Sequence, residues 1–304
     1  MEKTPYIEKI SIESLWGLYD VDWSLHQDVN ILLGENGSGK STILQIIELL
    51  LSNNQSLTID KEIGIKSAEF LFSDKSIVKS KIDLMNWNGR IVSTRNKDEF
   101  TKFTTFIQYI DTFGAPVKYF TQYNNSDTLE KTHINSILKE KVNEYTQYQL
   151  LQYKKAASGE LSLEKSLEKT RYFTATINRL FEQSGKKFND HDEFHFNLET
   201  RYIYPEMLSA GEKQLLIILL TVLCQQEERC VLLLDEPEIS LHIRWQYELI
   251  EIIRTLNPNC QLIIATHSSS VFTKGWRDKI FDMLPGEHGR KPIMSLSKTS
   301  KNDI

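Results

Sequence analysis

The sequence of 304 residues has little cysteine and no long apolar run. Its cysteines, Cys224, Cys230 and Cys260, form no C-x-x-C pair, so we expect neither a disulfide framework nor a zinc site. No apolar segment approaches the roughly 18 residues needed to cross a bilayer. The amino-terminal stretch MEKTPYIEKI also lacks the apolar core of a secretory signal. We therefore expect a cytoplasmic protein without a membrane partner.

The chain also lacks an excess of basic residues. Its 36 basic and 41 acidic residues give a net charge of −5, so no global field attracts nucleic acid. The lysine pairs at 154–155 and 186–187 are either phosphate contacts or solvated faces. The composition therefore neither indicates nor excludes DNA binding.

Against these absences stands the run ILLGENGSGKST at residues 31–42, an apolar strand followed by the G-x-x-x-x-G-K-S phosphate loop. Backbone N–H groups and the following helix N-terminus bind the phosphates of ATP or GTP in such a loop. Lys40 is predicted to reach the β- and γ-phosphates, and Ser41 to bind Mg²⁺. The predicted nucleotide-binding residues of the loop are Gly34, Asn36, Gly37, Ser38, Gly39, Lys40, Ser41 and Thr42.

A second apolar run, residues 231–234, ends in two adjacent carboxylates followed by proline. It is typical of a buried parallel strand whose carboxyl end borders a ligand site. Asp235 is predicted to bind Mg²⁺, and Glu236 to polarise the attacking water.

A third apolar run, residues 261–265, ends in Thr266 and His267. We expect the histidine at the same sheet edge, where a neutral imidazole can donate a hydrogen bond to a γ-phosphate or orient a water.

The fourth motif, LSAGEKQ at residues 208–214, opens an apolar helix. Ser209 and Glu212 fit a capping box, which by itself predicts only a helix start. A second anion site at this N-terminus, far in sequence from the first, suggests that two chains share each nucleotide.

The order of these motifs resembles the ABC-type ATPases, with LSAGEKQ standing where that superfamily carries LSGGQ. Glu212, Lys213 and the run DEPEISLH resemble the SMC-like and overcoming-lysogenization-defect ATPases. The resemblance implies an α/β P-loop fold of ABC type: a mainly parallel core sheet flanked by helices, an antiparallel β-lobe and an inserted helical hairpin.

The same resemblance implies a head-to-tail dimer. Ser209 and Gly211 of one copy, with Glu212 beside them, would cap the γ-phosphate held by Lys40, Ser41 and Asn36 of the other. The loop formed by residues 240–242 would cross to the opposite site. The cofactors implied are ATP and Mg²⁺, and the reaction is ATP hydrolysis with Glu236, His267 and Lys40 as its catalytic residues.

Composition and periodicity divide the chain into four parts. Residues 1–128 form the first half of the head, with a β-lobe at about 60–120, and residues 129–184 an inserted helical hairpin that projects from the head or covers its sheet. Residues 185–285 form the second half and 286–304 a mobile tail. The resemblance also implies a glutamine that senses the γ-phosphate, for which Gln108 and Gln122 are the candidates. Trp16 is expected in the core rather than against adenine.

Small ATPases carrying DEPEISLH resemble subunits of antiphage systems such as PARIS, Septu and some retrons. The implied function is an ATP-driven switch that controls a separate effector encoded nearby, a TOPRIM-like nuclease or another toxin. The alternatives are a transporter nucleotide-binding subunit, implied by the same chemistry, and a RecF-like DNA-repair ATPase.

Overall fold

A computed structural model describes residues 5–51, 64–81, 106–111, 129–189, 193–272, 275–283 and 291–292. Its strands are β1 (Ile7–Leu15), β2 (Tyr19–Ser24), β3 (Val29–Leu33), β4 (Ser67–Phe72), β5 (Ile77–Lys81), β6 (Phe106–Ile110), β7 (Lys187–Asn189), β8 (His195–Leu198), β9 (Arg201–Ile203), β10 (Cys230–Asp235), β11 (Cys260–Thr266), β12 (Ile280–Asp282) and β13 (Lys291–Pro292). Its helices are α1 (Lys40–Leu51), α2 (Leu129–Ala157), α3 (Leu163–Ser166), α4 (Glu168–Leu180), α5 (Ala210–Cys224) and α6 (Ile243–Leu256).

A five-stranded parallel sheet forms the centre, in the order β12-β3-β11-β10-β6. Successive residues of its inner strands alternate between the two cores that the sheet separates. Leu232 and Leu234 face one core, whereas Val231 and Leu233 face the other. Burial on both faces explains why the strand is apolar at every position rather than at every second one.

The second sheet is antiparallel, in the order β13-β2-β1-β4-β5. Helix α1 packs in the core between this sheet and the parallel one, and its apolar side chains are buried nearly throughout. The predicted β-lobe is therefore present, but it includes β1 and β2, and β6 belongs to the parallel sheet instead. The run at residues 89–92, also assigned to the lobe, lies outside the described residues.

Helices α2, α4, α5 and α6 cover the other face of the parallel sheet. Helix α2 packs along α5, and α4 packs against α5 and α6. Tyr145 of α2 and Phe173 of α4 are buried in one aromatic cluster. The prediction of a hairpin that projects from the head is therefore wrong, because these helices cover the sheet, the other predicted arrangement.

Strands β7, β8 and β9 form a small antiparallel sheet just before α5. At the carboxyl-terminal end of the chain, Lys291 and Pro292 pair with β2, so this part of the predicted tail is a strand. Among the described residues no helix is both long and apolar enough to span a membrane.

Candidate functional site

The phosphate loop connects β3 to α1. Gly37 and Gly39 have φ of 77° and 96°, which only glycine adopts without strain. These turns bring Lys40 to the first position of α1, where the helix dipole favours anions. The loop is therefore built as a cradle for phosphates.

Lys40 is the buried cation of this cradle, with 3% of its side chain exposed. Its ammonium donates to the carbonyls of Gly34 and Glu35 at 2.9 and 3.1 Å and lies 3.3 Å from a Glu236 carboxylate oxygen. Two of these partners are neutral carbonyls and the third is a carboxylate, so an incoming phosphate would have to take the place of Glu236 as the anionic partner of the buried ammonium.

Asp235 ends β10 beside the start of α1. One carboxylate oxygen accepts a hydrogen bond from Ser41 Oγ at 3.0 Å, and the other accepts one from Tyr109 OH at 3.1 Å. Burial raises the pKa of Asp235 to about 6, against the lowering effect of the Ser41 hydrogen bond. Its carboxyl is thus held in a place where its charge is unfavourable unless a cation is present.

Tyr109 was not predicted to belong to the site. It lies on β6 opposite Leu233 of β10, and a pairing between distant strands leaves no local signal in the sequence. Burial also raises the pKa of Glu48 on α1 to about 7, with a further contribution from the charge of Asp111 at the end of β6. Acidic groups thus border the Asp235 side of the cradle.

Glu236 has φ of 43°, a strained conformation for a residue with a side chain. Its N–H donates to the carbonyl of Ala265 at 2.8 Å, which extends the ladder between β10 and β11 by one residue. Its carboxylate lies 3.5 Å from His267 Nδ1 as well as 3.3 Å from Lys40. The strained turn therefore places the Glu236 carboxylate between Lys40 of the phosphate loop and His267.

Glu238, two residues further, was also not predicted. It is buried, and one of its oxygens accepts from Thr266 Oγ1 and from the N–H of His267 at 3.2 Å. The same oxygen lies 3.3 Å from His267 Nδ1. The only signal for Glu238 in the sequence is that it is a further acidic residue shortly after Asp235 and Glu236. Its contacts hold His267 beside Glu236.

At the fourth motif, Ser209 is the N-cap of α5. The N–H of Glu212 donates to Ser209 Oγ at 3.3 Å and the N–H of Ser209 donates to a Glu212 carboxylate oxygen at 2.9 Å, which forms the predicted capping box. The Ser209 hydroxyl also donates to that oxygen at 2.9 Å. Lys186 donates to both Glu212 oxygens at 2.7 and 2.9 Å. Burial raises the pKa of Glu212, but the hydrogen bonds from Lys186 and Ser209 outweigh it, so the pKa lies below its ordinary value.

Lys186 is therefore neither a solvated residue nor a free phosphate contact, contrary to the expectation for the pair at 186–187. Glu212 caps its own helix in this structure, and its predicted role in binding nucleotide stays a prediction.

Gly211 lies against the loop that follows the Asp235-Glu236 turn. A Cβ at this position would be 2.2 Å from the carbonyl oxygen of Ser240, so only glycine fits. Gln246 donates to the carbonyls of Glu238 and Leu241 at 3.0 and 2.8 Å and thereby holds the loop from α6. The fourth motif and the loop at residues 240–242 form one packed unit.

The structure corrects the predictions for Gln108 and Trp16. Gln108 lies in the middle of β6 and accepts from Gln225 at 2.6 Å, away from the strand's carboxyl end, so it is not placed to sense a phosphate. The other candidate, Gln122, lies outside the described residues. Trp16 is 41% exposed and its indole nitrogen borders Gly39, so the expectation of a core residue is wrong.

The structure thus brings Lys40, Ser41, Asp235, Glu236 and His267 together at the carboxyl edge of the parallel sheet. Helices α1 and α5 lie on opposite faces of that sheet. Ser209 is exposed at the start of α5. The phosphate cradle and the fourth motif therefore belong to different faces of one molecule.

This fold and this site define a P-loop protein with the fold of an SMC head domain, as the resemblance implied. The Smc head domain from Pyrococcus furiosus, solved bound to the C-terminal domain of ScpA, has a TM-score of 0.51 at 17% identity, over 95% of this chain and 96% of that one.

The chain belongs to the family described as "AAA domain, putative AbiEii toxin, Type IV TA system", whose model matches residues 29–273. Among curated proteins it is similar to the Septu protein PtuA of Bacillus mycoides (strain KBAB4), 26% identical over 88% of this chain and 38% of that protein. PtuA of Bacillus thuringiensis is 23% identical over 86% of this chain and 72% of that protein. The chain thus spans well under half the length of the first relative.

Proposed function

We propose that this protein hydrolyses ATP as the switch subunit of a bacterial antiphage system. The observation that carries the proposal is the convergence of a buried lysine, a hydroxyl, two carboxylates and a histidine on one phosphate cradle. Each group has a separate task in phosphoryl transfer to water.

Lys40 binds the phosphates as a point charge. Its ammonium then gives up its contacts with the carbonyls of Gly34 and Glu35 and with the Glu236 carboxylate. Glu236, released from Lys40, accepts the proton of the attacking water. His267 lies against Glu236 and can donate to a phosphate oxygen or orient that water.

The donor set fits Mg²⁺. Ser41 Oγ and an Asp235 oxygen are 3.0 Å apart, and Mg²⁺ prefers one or two protein oxygens together with phosphates and water. Among the residues that the structure describes, no three His, Cys, Asp or Glu side chains converge to hold a metal by themselves. When bound with ATP, Mg²⁺ would neutralise phosphate charge, and Ser41 and Asp235 are the residues that would hold it.

A second copy of the chain would complete the site through Ser209 and Gly211. Helices α1 and α5 lie on opposite faces of the sheet, so an exposed Ser209 turn is available to another molecule. The apolar side chains beside this turn support a protein contact, since Met207 is 62% and Ile239 55% exposed. ATP would therefore join two copies head to tail, and hydrolysis would release them.

The defence role rests on similarity to the two Septu proteins. In this proposal the ATP-bound dimer controls a separate effector encoded nearby, a TOPRIM-like nuclease or another toxin. An ATPase that controls an effector need not carry nuclease residues itself.

Steady-state ATP hydrolysis with Mg²⁺ tests the proposal. Lys40→Ala should abolish activity, and Glu236→Gln should lower kcat by about 10² to 10⁴-fold while nucleotide still binds. Lys66→Ala, which removes an exposed lysine, is the matched control. Near-normal turnover in Glu236→Gln would show that Glu236 is not the general base.

Plaque counts test the defence role. Cells carrying the chain with its neighbouring genes should resist phage, and Lys40→Ala should remove the protection. Equal plaque numbers with the wild type and the empty vector over a broad phage panel would contradict a defence function.

A further inference from the structure

Two of the residues that set the motif LSAGEKQ apart from LSGGQ, Glu212 and Lys213, are held by residues from outside α5. Lys186, in the link between α4 and β7, donates to both oxygens of Glu212, and Ser184 donates to one of them at 3.1 Å. Asn135 of α2 accepts from Lys213 Nζ at 2.9 Å. Helix α2 and the link between α4 and β7 therefore contact these two residues.

Lys186 and Ser209 contact the same oxygen of Glu212. The Glu212 oxygen that lies 2.9 Å from Lys186 is the same one that accepts from the Ser209 N–H and hydroxyl. Only 5% of the Glu212 side chain and 16% of the Lys186 side chain are exposed, so the pair is shielded from water. If Lys186 is removed, the carboxylate loses its only charged partner among the described contacts and must turn or take up a proton.

We propose that Lys186 is a positioning residue for the fourth motif, acting through Glu212 on the Ser209 turn that meets the nucleotide of a second copy. This inference rests on the proposed ATP-joined dimer. According to this inference, the conformation of the Ser209 turn depends on the position of the segment between α4 and β7. A partner that moves this segment would change dimerisation without touching the phosphate cradle.

The test compares four proteins: the wild type, Lys186→Met, the charge-free double variant Lys186→Met/Glu212→Gln, and the control Lys187→Met. Lys187 is the exposed neighbour of Lys186 and lies on β7. Each protein is assayed for affinity for a fluorescent ATP analogue, for ATP-dependent dimer mass, and for kcat and KM of hydrolysis.

Because the phosphate cradle is intact, Lys186→Met should bind the analogue within about twofold of the wild type. Its kcat and its dimerisation should fall about ten- to hundredfold, the effect of losing hydrogen bonds to a charged group. The double variant guards against a folding defect, since it leaves no unpaired buried charge. It should fold like the wild type and show a defect no larger than that of Lys186→Met, because both changes act through one contact.

Wild-type kcat and dimerisation in Lys186→Met, or an equal loss in Lys187→Met, would overturn the inference while the proposed dimer stands. A loss of analogue binding in the folded double variant would overturn it as well, since the effect would then lie in the cradle. A wild type that neither dimerises nor hydrolyses ATP would refute the proposed function, and this inference with it.

Discussion

Removing the charge of Asp235 should stabilise the fold while it abolishes activity. The carboxyl lies at the end of β10, hydrogen-bonded to Ser41 and Tyr109, and burial raises its pKa from 3.8 to about 6. A carboxyl with a raised pKa in the folded state takes up a proton on folding in the window between these values. The stability that protonation supplies is present at low pH and is lost as the pH rises through that window.

The shift of about two pKa units corresponds to about 3 kcal/mol at pH 8, at about 1.4 kcal/mol per unit. Asparagine carries no charge, and its amide can donate to the Tyr109 hydroxyl instead of accepting from it. Allowing for imperfect hydrogen bonds, Asp235→Asn should gain about 2 kcal/mol at pH 8, or about 3 °C in Tm for a chain of this length. At pH 5, where the penalty in the wild type is about half as large, the gain should fall below about 1 kcal/mol.

Urea unfolding of both proteins without nucleotide, at pH 8 and pH 5, measures this difference. Asp278→Asn, which removes an exposed carboxyl, should change stability at neither pH. With Mg²⁺ and ATP the wild type should gain stability and Asp235→Asn should gain much less, since the variant lacks the metal-binding carboxylate. An equal gain at both pH values, or a loss at pH 8, would refute the reasoning.

Three further changes probe the neighbourhood. Tyr109→Phe should raise the pKa of Asp235 above about 6, because the hydroxyl lowers it, so the loss of ATPase activity on acidification should begin at higher pH; an unchanged pH profile would exclude this contact. Gly211→Ala should cost about 1–3 kcal/mol of stability in urea unfolding, since its Cβ would overlap the Ser240 carbonyl, and a wild-type midpoint would show that the loop yields. Trp16→Phe should remove most of the change in tryptophan fluorescence on ATP binding, because Trp16 is exposed beside the phosphate loop; an equal change in both proteins would assign the signal elsewhere.

Local sequence predicted the centre of the site because each of its groups follows an apolar strand. In a parallel sheet, strands that end in functional side chains bring those side chains to one edge. Asp235 at the end of β10, His267 after β11 and Lys40 after β3 therefore meet wherever these strands are neighbours. The strand order β3-β11-β10 makes them so, and Ser41 then lies within hydrogen-bond distance of Asp235.

The supporting contacts were not predictable in the same way. Tyr109 depends on β6 lying next to β10, and Lys186 depends on a link 26 residues before Glu212 folding back onto its helix. The periodicity of α2 predicted a helix with one apolar face, but it did not say whether that face pairs with another arm or with the core. Tyr145 settles this in the structure, since it is buried against Phe173 and Phe194.

We propose that ATP joins two copies of this chain through the cradle of one and the Ser209 turn of the other. It is tested most directly by the mass in solution of Glu236→Gln, with and without ATP and Mg²⁺. We expect the monomer mass without nucleotide, twice that mass with ATP, and a return to the monomer mass when Ser209→Arg is added. A mass that nucleotide does not change, in a protein shown to bind ATP, would contradict it.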